Sequence, residues 1–254
     1  MTKEIIHLEG IVLHSPDIDR LRLFYESLLG AEFKEERHGN GPKHYSCKYG
    51  RDGFLELYPT LSEHALPQSH MDFSSPSLVF RIPDLSEVKA RKGQFFWRAL
   101  TQLHQNLYLC HDSNGRAIYL HQDQAVREIS LEEVVLHSRK VRETKLFYQS
   151  LFNLEPERVS NNKEGRVSDA NGYIFRLPKG KIEISPSRRE VPASPTLLFS
   201  SSHLNRVRKR TNGEISERRS EETGNGPVYQ QEIVLHDPES RNIRVYGNPK
   251  RSWL

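Results

Sequence analysis

The strongest constraint on this chain is that it repeats itself. The run from Ile11 to Gly30 (IVLHSPDIDRLRLFYESLLG) returns from Val134 to Asn153 (VVLHSRKVRETKLFYQSLFN). Phe24-Tyr25 thus reappears as Phe147-Tyr148, close to half of the 254 residues later. A repeat of that period marks two copies of one domain rather than a solenoid of short units. The length agrees, being sufficient for two domains of medium size. A linker near residues 122–125 separates a first domain over 1–122 from a second over 128–250.

Composition narrows the class. Hydrophobic residues make up 35% and aromatics 9%, and mean hydropathy is −0.69, a polar but globular balance. No apolar run is long enough to span a membrane. The N-terminal residues lack the apolar core of a secretory signal, so a cytoplasmic location is expected. Cys47 and Cys110 both fall in the first copy and the second has none, which reads as two reduced, inert thiols rather than a disulfide framework. Much of the basic excess lies in Arg206–Arg210 and Arg218-Arg219. Glu214, Glu217, Glu221 and Glu222 dilute it and no aromatic residues interleave, so the run reads as a solvated face and argues against nucleic acid as a partner.

Each copy opens on a strand, Gly10–His14 or Glu133–His137, followed by a polar break and an amphipathic helix. Leu21, Phe24, Tyr25 and Leu28 recur at helical spacing, and Gly30 stands where a C-cap glycine belongs. In the second copy Leu146, Phe147 and Leu151 are expected to carry the apolar stripe, with Lys145, Tyr148 and Phe152 weakening it. Strands His44–Tyr49 and Phe54–Tyr58 flank Gly50–Gly53 as a hairpin, and Gly172–Leu177 with Lys181–Ser185 repeat it. Ser77–Ile82 and Leu85–Ala90 then echo the opening strand and helix. Closing hairpins turn at Asp112–Gly115 and Asp237–Ser240. Four strand-helix-strand-strand-strand modules result, in two pairs.

With these modules in view, the chain resembles the vicinal oxygen chelate superfamily of glyoxalase I, extradiol dioxygenases and bleomycin- and fosfomycin-resistance proteins. The residues that carry the resemblance are Asp17 with the helix LFYESLLG, the strand from Phe54 to Pro59, and the closing hairpin from Asp112 to Leu120. It implies an α+β fold of two tandem domains, each of paired βαβββ modules curled into an open half-barrel cup. It also implies four cup-facing positions per site that bind a divalent metal in those members that use one. These positions fall on Gly10, Glu56, Ser77 and Tyr119 in the first copy and on Glu133, Glu183, Thr196 and Arg244 in the second. Should the copies exchange modules, the sets become Gly10, Glu56, Thr196 and Arg244, and Ser77, Tyr119, Glu133 and Glu183. No set gathers three good ligands, and Arg244 brings a permanent cation; neither a metal nor another cofactor is expected.

The reading that follows is a binding protein holding a small organic molecule against aromatic and polar groups. Its candidate ligand-binding residues are His14, Tyr45, Glu56, Tyr58, Phe80, Tyr119, His121, Glu133, Glu183 and Arg244. Glu56 is the candidate general base if burial raises its pKa. His38 and His44 bracket a glycine-rich loop that either closes over a ligand or only shapes a turn. The alternative is a lyase, isomerase or dioxygenase dependent on Zn, Ni, Fe or Mn. The two copies pair within one chain as a pseudo-dimer, or with a second chain as a homodimer.

Overall fold

The computed structural model describes residues 5–37, 40–51, 53–60, 76–91, 100–159, 171–188, 195–220 and 228–247, with the side chains of 216–220 and 228–230 set aside. His38, Gly39, Glu221, Glu222 and the side chains of Glu217, Arg218 and Arg219 therefore lie outside the described residues, as do the last residues before 250. All four modules have the order βαβββ. Module 1 holds β1 (Ile6–Ser15), α1 (Ile18–Leu29), β2 (Lys34–Glu36), β3 (His44–Tyr49) and β4 (Gly53–Pro59). Module 2 holds β5 (Ser77–Ile82), α2 (Leu85–Ala90), β6 (Thr101–His104), β7 (Leu107–His111) and β8 (Ala117–Gln122). Module 3 runs through β9 (Ser130–Ser138), α3 (Val141–Phe152), β10 (Glu157–Arg158), β11 (Tyr173–Arg176) and β12 (Lys181–Pro186). Module 4 runs through β13 (Thr196–Ser201), α4 (Leu204–Thr211), β14 (Ile215–Ser220), β15 (Val228–His236) and β16 (Asn242–Gly247).

The sheets are built across the repeat. One has the order β14-β15-β16-β13-β1-β4-β3-β2, the other β10-β11-β12-β9-β5-β8-β7-β6. Module 1 thus pairs with module 4 through β1 and β13, and module 2 with module 3 through β5 and β9, both antiparallel. The two copies meet inside one chain, and the module-exchanged ligand sets are the ones that share a sheet.

Within each copy the modules are joined through their helices instead. Arg91 donates from the end of α2 to the last carbonyls of α1, Ser27 O and Leu28 O, at 3.2 and 3.1 Å. Arg210 of α4 does the same for Ser150 O and Leu151 O of α3, at 2.9 and 3.0 Å. A cation at a helix C-terminus satisfies orphan carbonyls and complements the dipole. The αL residue that ends each helix is Gly30 (φ 64°) for α1, Asn153 (φ 52°) for α3 and Asn212 (φ 53°) for α4, since glycine and asparagine tolerate that region.

The stripe of α3 departs from expectation. Thr144, Tyr148, Leu151 and Phe152 are its buried residues, whereas Leu146 is 52% exposed. They align in the repeat with Leu21, Tyr25, Leu28 and Leu29, all buried in α1. The helical face therefore follows the repeat rather than local hydrophobicity. Both helices pack into one apolar core that also takes Ile11 and Leu57 of the first sheet, Leu78 and Phe80 of the second, Val88 of α2 and Val207 of α4.

Each closing hairpin is pinned to the helix of the preceding module by a buried triad. Tyr25 donates to the Asp112 carboxylate at 3.2 Å, and Arg116 pairs with the same oxygen. In the second copy Tyr148 donates to Asp237 at 3.3 Å and Arg241 Nε donates at 2.7 Å. Such ion pairs persist in a core only when hydrogen bonds satisfy both partners. Here the second carboxylate oxygen accepts backbone N–H groups from Asn114 and Arg116, or from Glu239 and Arg241.

Candidate functional site

The sheet face turned away from the helices is the candidate site, and strand register decides who stands on it. In the first sheet Val12 lies beside Glu56 and Thr196, Gly10 beside Phe54 and Leu198, and His14 beside Tyr58. Leu198 adjoins Arg244, and Tyr246 adjoins both Ser200 and Glu232. Val12, Leu198 and Tyr246 form a small apolar cluster of their own, with Phe54 and Tyr58 packed on it. An aliphatic and aromatic floor thus carries Glu56, Arg244, Glu232, His14 and His44 as polar groups. Three of these, Glu56, His14 and His44, come from the first half of the chain, and two, Arg244 and Glu232, from the second.

Charge on this face is arranged around Arg244. Its guanidinium lies 3.8 Å from Glu232. Burial opposes its charge, but Tyr246, Glu232 and Glu56 outweigh burial and hold the arginine above its usual pKa. His14 moves the other way: burial, then Arg116 and Arg244, lower its pKa and keep it neutral near pH 7. Its ring sits 6.2 Å from that of Tyr58, which in turn stacks on His44 at 4.3 Å. His44 is 1% exposed, donates from Nδ1 to Pro42 O at 3.2 Å, and faces Glu36 at 3.6 Å.

The second sheet carries the other half of the candidate set. Tyr119 lies beside Val79, and His121 beside Arg81; Glu133 lies beside Lys181, and Glu183 beside Val135. Burial pushes the Tyr119 phenol up, so it remains protonated. Glu132, displaced onto this face by the β-bulge opposite Val79 and Phe80, gathers two cations and a histidine. It accepts from Arg81 at 2.8 Å, His121 at 3.0 Å and Lys181 at 3.0 Å. Burial raises its pKa, but these bonds overcome burial and hold it at about 2.

Two sequence candidates turn the opposite way. Tyr45 pairs with Leu57, not with Glu56 or Tyr58; its ring is in the helix-side core and its hydroxyl donates to Asp19 of α1. Arg22 and Lys43 lie over that ring at 5.1 and 4.8 Å. Phe80 is fully buried in the same core, edge-on to Tyr49 at 5.9 Å. Strand alternation gives the reason: neighbours in a strand point to opposite faces, so Glu56 and Tyr58 select Ser46 and His44 across the hairpin. Likewise Ser77 and Val79 select Arg81 over Phe80. His44 was therefore readable from the hairpin register. Glu232 and Tyr246 face each other across the β15–β16 hairpin and were as readable as His44. That Leu198 joins this face beside Gly10 was not, because those two residues come from different halves of the chain.

The fold implies a metal site, and the residues do not fit one. On the first face the four positions hold Gly10, Glu56, Thr196 and Arg244, a single carboxylate with a fixed cation. A Cβ on Gly10 would lie 2.5 Å from Phe54 O, so that position has no room for a ligating side chain. On the second, Glu133 and Glu183 are joined by Ser77 and a protonated Tyr119, with Lys181 3.9 Å from Glu133. A divalent first-row ion wants three or more imidazole, thiolate or carboxylate donors. Among the described residues no group of three or more His, Cys, Asp or Glu is placed to share one. Nor is any described helix long and apolar enough to cross a membrane.

No protein-family model and no curated protein sequence matches the chain. Solved structures do. Glyoxalase I from Zea mays aligns at a TM-score of 0.63 and 13% identity, over 96% of this chain and 93% of that one. A point mutant of the same enzyme aligns at 0.65 and 12%, over 96% and 95%. A Bacillus subtilis protein assigned as a dioxygenase aligns at 0.64 and 12%, over 98% and 87%. Likeness at such identities is one of fold, not of chemistry. Four βαβββ modules, joined in two sheets and matched along almost their whole length, give this chain the vicinal oxygen chelate fold in its two-domain form.

Proposed function

We propose that the helix-free face of the first sheet binds a small organic molecule and does so without a resident metal. The observation that carries this reading is the apolar cluster of Val12, Leu198, Tyr246, Phe54 and Tyr58, left outside the main core and edged by Glu56 and Arg244. A packed core would place such side chains against a neighbouring element; here they form a floor with a few directed polar groups, the usual make-up of a ligand pocket. Arg244 offers a planar fork of donors, and neutral His14 can donate or accept. Glu56 stands close enough to Arg244 to stabilise its charge. The second face, with its ion-paired Glu132 cluster, is the weaker site.

A neutral fluorescent probe, N-phenyl-1-naphthylamine, tests the reading. Saturable fluorescence enhancement is expected with the parent protein, and its loss with Leu198→Trp, which fills the floor while leaving the core untouched. Undiminished probe binding in that variant would overturn the assignment. Dialysis against a chelator is expected to leave the melting temperature unchanged. A fall of several degrees that Zn, Ni, Fe or Mn reverses would instead establish the metal-dependent alternative, for which the Glu133 and Glu183 pair is the supporting observation, since a ligand of the native state stabilises it.

A further inference from the structure

A second opening lies where the two halves of the chain join. It is bounded by the start of β1, the β3–β4 turn, the linker and the β11–β12 hairpin, and encloses about 890 Å³. That volume suits a small molecule. Six cationic side chains line it among the described residues: Arg51, Arg81, Arg127, Arg176, Lys179 and Lys181. Of the same described lining, three carboxylates, Glu9, Glu128 and Glu132, face them. Glu9 is held by the Ser200 hydroxyl at 2.5 Å. Glu132 pairs with Arg81 and Lys181 at 2.8 and 3.0 Å. Asp123 lies 3.7 Å from Arg81, Glu133 lies 3.9 Å from Lys181, and Glu157 pairs with Arg176 at 2.7 Å. Carboxylates thus hold these three cations in place before any ligand arrives. Arg51 and Arg127 are exposed and come from different walls, the β3–β4 turn and the linker. Leu8, Val126, Ile129, Leu131 and Leu177 make up the apolar part of the lining.

We propose that this opening is a site for a small organic molecule carrying a di- or triphosphate. A concave surface whose lining carries more cations than carboxylates concentrates anions, and the exposed Arg51 and Arg127 are the cations best placed to meet them. Guanidinium forks match phosphate oxygens in bidentate fashion. A single phosphate has too few free oxygens to engage cations arriving from four separate segments, which selects a linked pair or more. The apolar part of the lining selects an organic body over a bare inorganic ion. The opening shares Gly10 with the face of the first sheet and Arg81, Glu132 and Lys181 with that of the second. Neither Leu198 nor Tyr246 lines it, so its test does not depend on the floor those two form.

The test titrates pyrophosphate and ADP into the full chain and follows melting temperature and calorimetric heat. Both are expected to bind and to raise the melting temperature, ADP more tightly, with affinity falling at least about threefold between roughly 50 and 300 mM NaCl. The double variant Arg51→Gln/Arg127→Gln removes two exposed cations, so its unliganded melting temperature is expected to match the parent while affinity falls at least tenfold. Leu198→Trp is expected to leave ADP binding intact, which keeps this result distinct from that of the neutral probe. The absence of any shift at millimolar concentrations of either anion would overturn the proposal, as would full affinity in the double variant. Pyrophosphate binding as tightly as ADP would overturn the organic component.

Discussion

Glu132 joins Arg81, Lys181 and His121 through one carboxylate whose side chain is 10% exposed, and that arrangement sets a pH dependence. Its pKa is held at about 2 against an ordinary 4.5. A depressed acid stabilises the fold fully above its unfolded pKa and loses that contribution as pH falls through the folded one. The window is therefore roughly pH 4.5 down to 2, and the contribution about 2 kcal/mol once solvent screening is allowed for. Glu132→Gln is expected to cost that amount at neutral pH, with the gap to the parent shrinking below pH 4.5. Urea unfolding at intervals from neutral to acid pH measures it; parallel curves would refute the assignment. The cysteines show the opposite sign: burial pushes Cys47 and Cys110 to about 12, which keeps both as thiols, consistent with the inert, reduced pair expected from their placement in one copy. Residue identity alone did not show which candidates share a face. Tyr45 and Phe80 were misplaced because they are aromatic, and the register of the Gly50–Gly53 turn overrules side-chain character.

At the level of elements, the hairpin pins do what the isolated hairpins cannot. Arg241 is fully buried, donates to Asp237 and to His137 O at 3.1 Å, and so locks the module 4 hairpin onto the end of β9. Asn114 plays the corresponding part in the first copy, reaching His14 O at 3.1 Å and accepting from Ser15 at 3.0 Å. Asp237→Ala would strand a buried guanidinium, with an expected loss of about 3–5 kcal/mol. Tyr148→Phe removes one neutral donor and is expected to cost only about 1 kcal/mol. Denaturant midpoints of the two variants check the order, and equal losses would show that the arginine is satisfied elsewhere. Helices α1 and α3 were legible from spacing and caps, yet the buried face of α3 was not. Leu146 looks like a core residue by type, but Thr144 takes the inward position because the repeat places it where Leu21 stands.

For the whole molecule, the exchange of modules has a mechanical consequence. The centre of each sheet is a seam between halves, β1 against β13 and β5 against β9. A fragment of residues 1–122 keeps its helix contacts but exposes β1 and β5 as long, apolar edges, which template pairing with another chain. It is expected to dimerise or aggregate, as light scattering after size exclusion would show; a cooperative, folded monomer would contradict the role of the seams.

The amino-acid sequence determined the duplication, the βαβββ order of each module and the helix ends, because these depend on periodicity and on local backbone preference within a few residues. It also set which donor residues are on hand at the four positions of each site. Only the tertiary structure decided that module 1 meets module 4. That choice brings Arg244 and Tyr246 to Glu56 and His14, and sends Tyr119 and His121 to the other sheet. Strand pairing between distant segments depends on which apolar edges bury each other when the whole chain closes, and no local window of sequence records that.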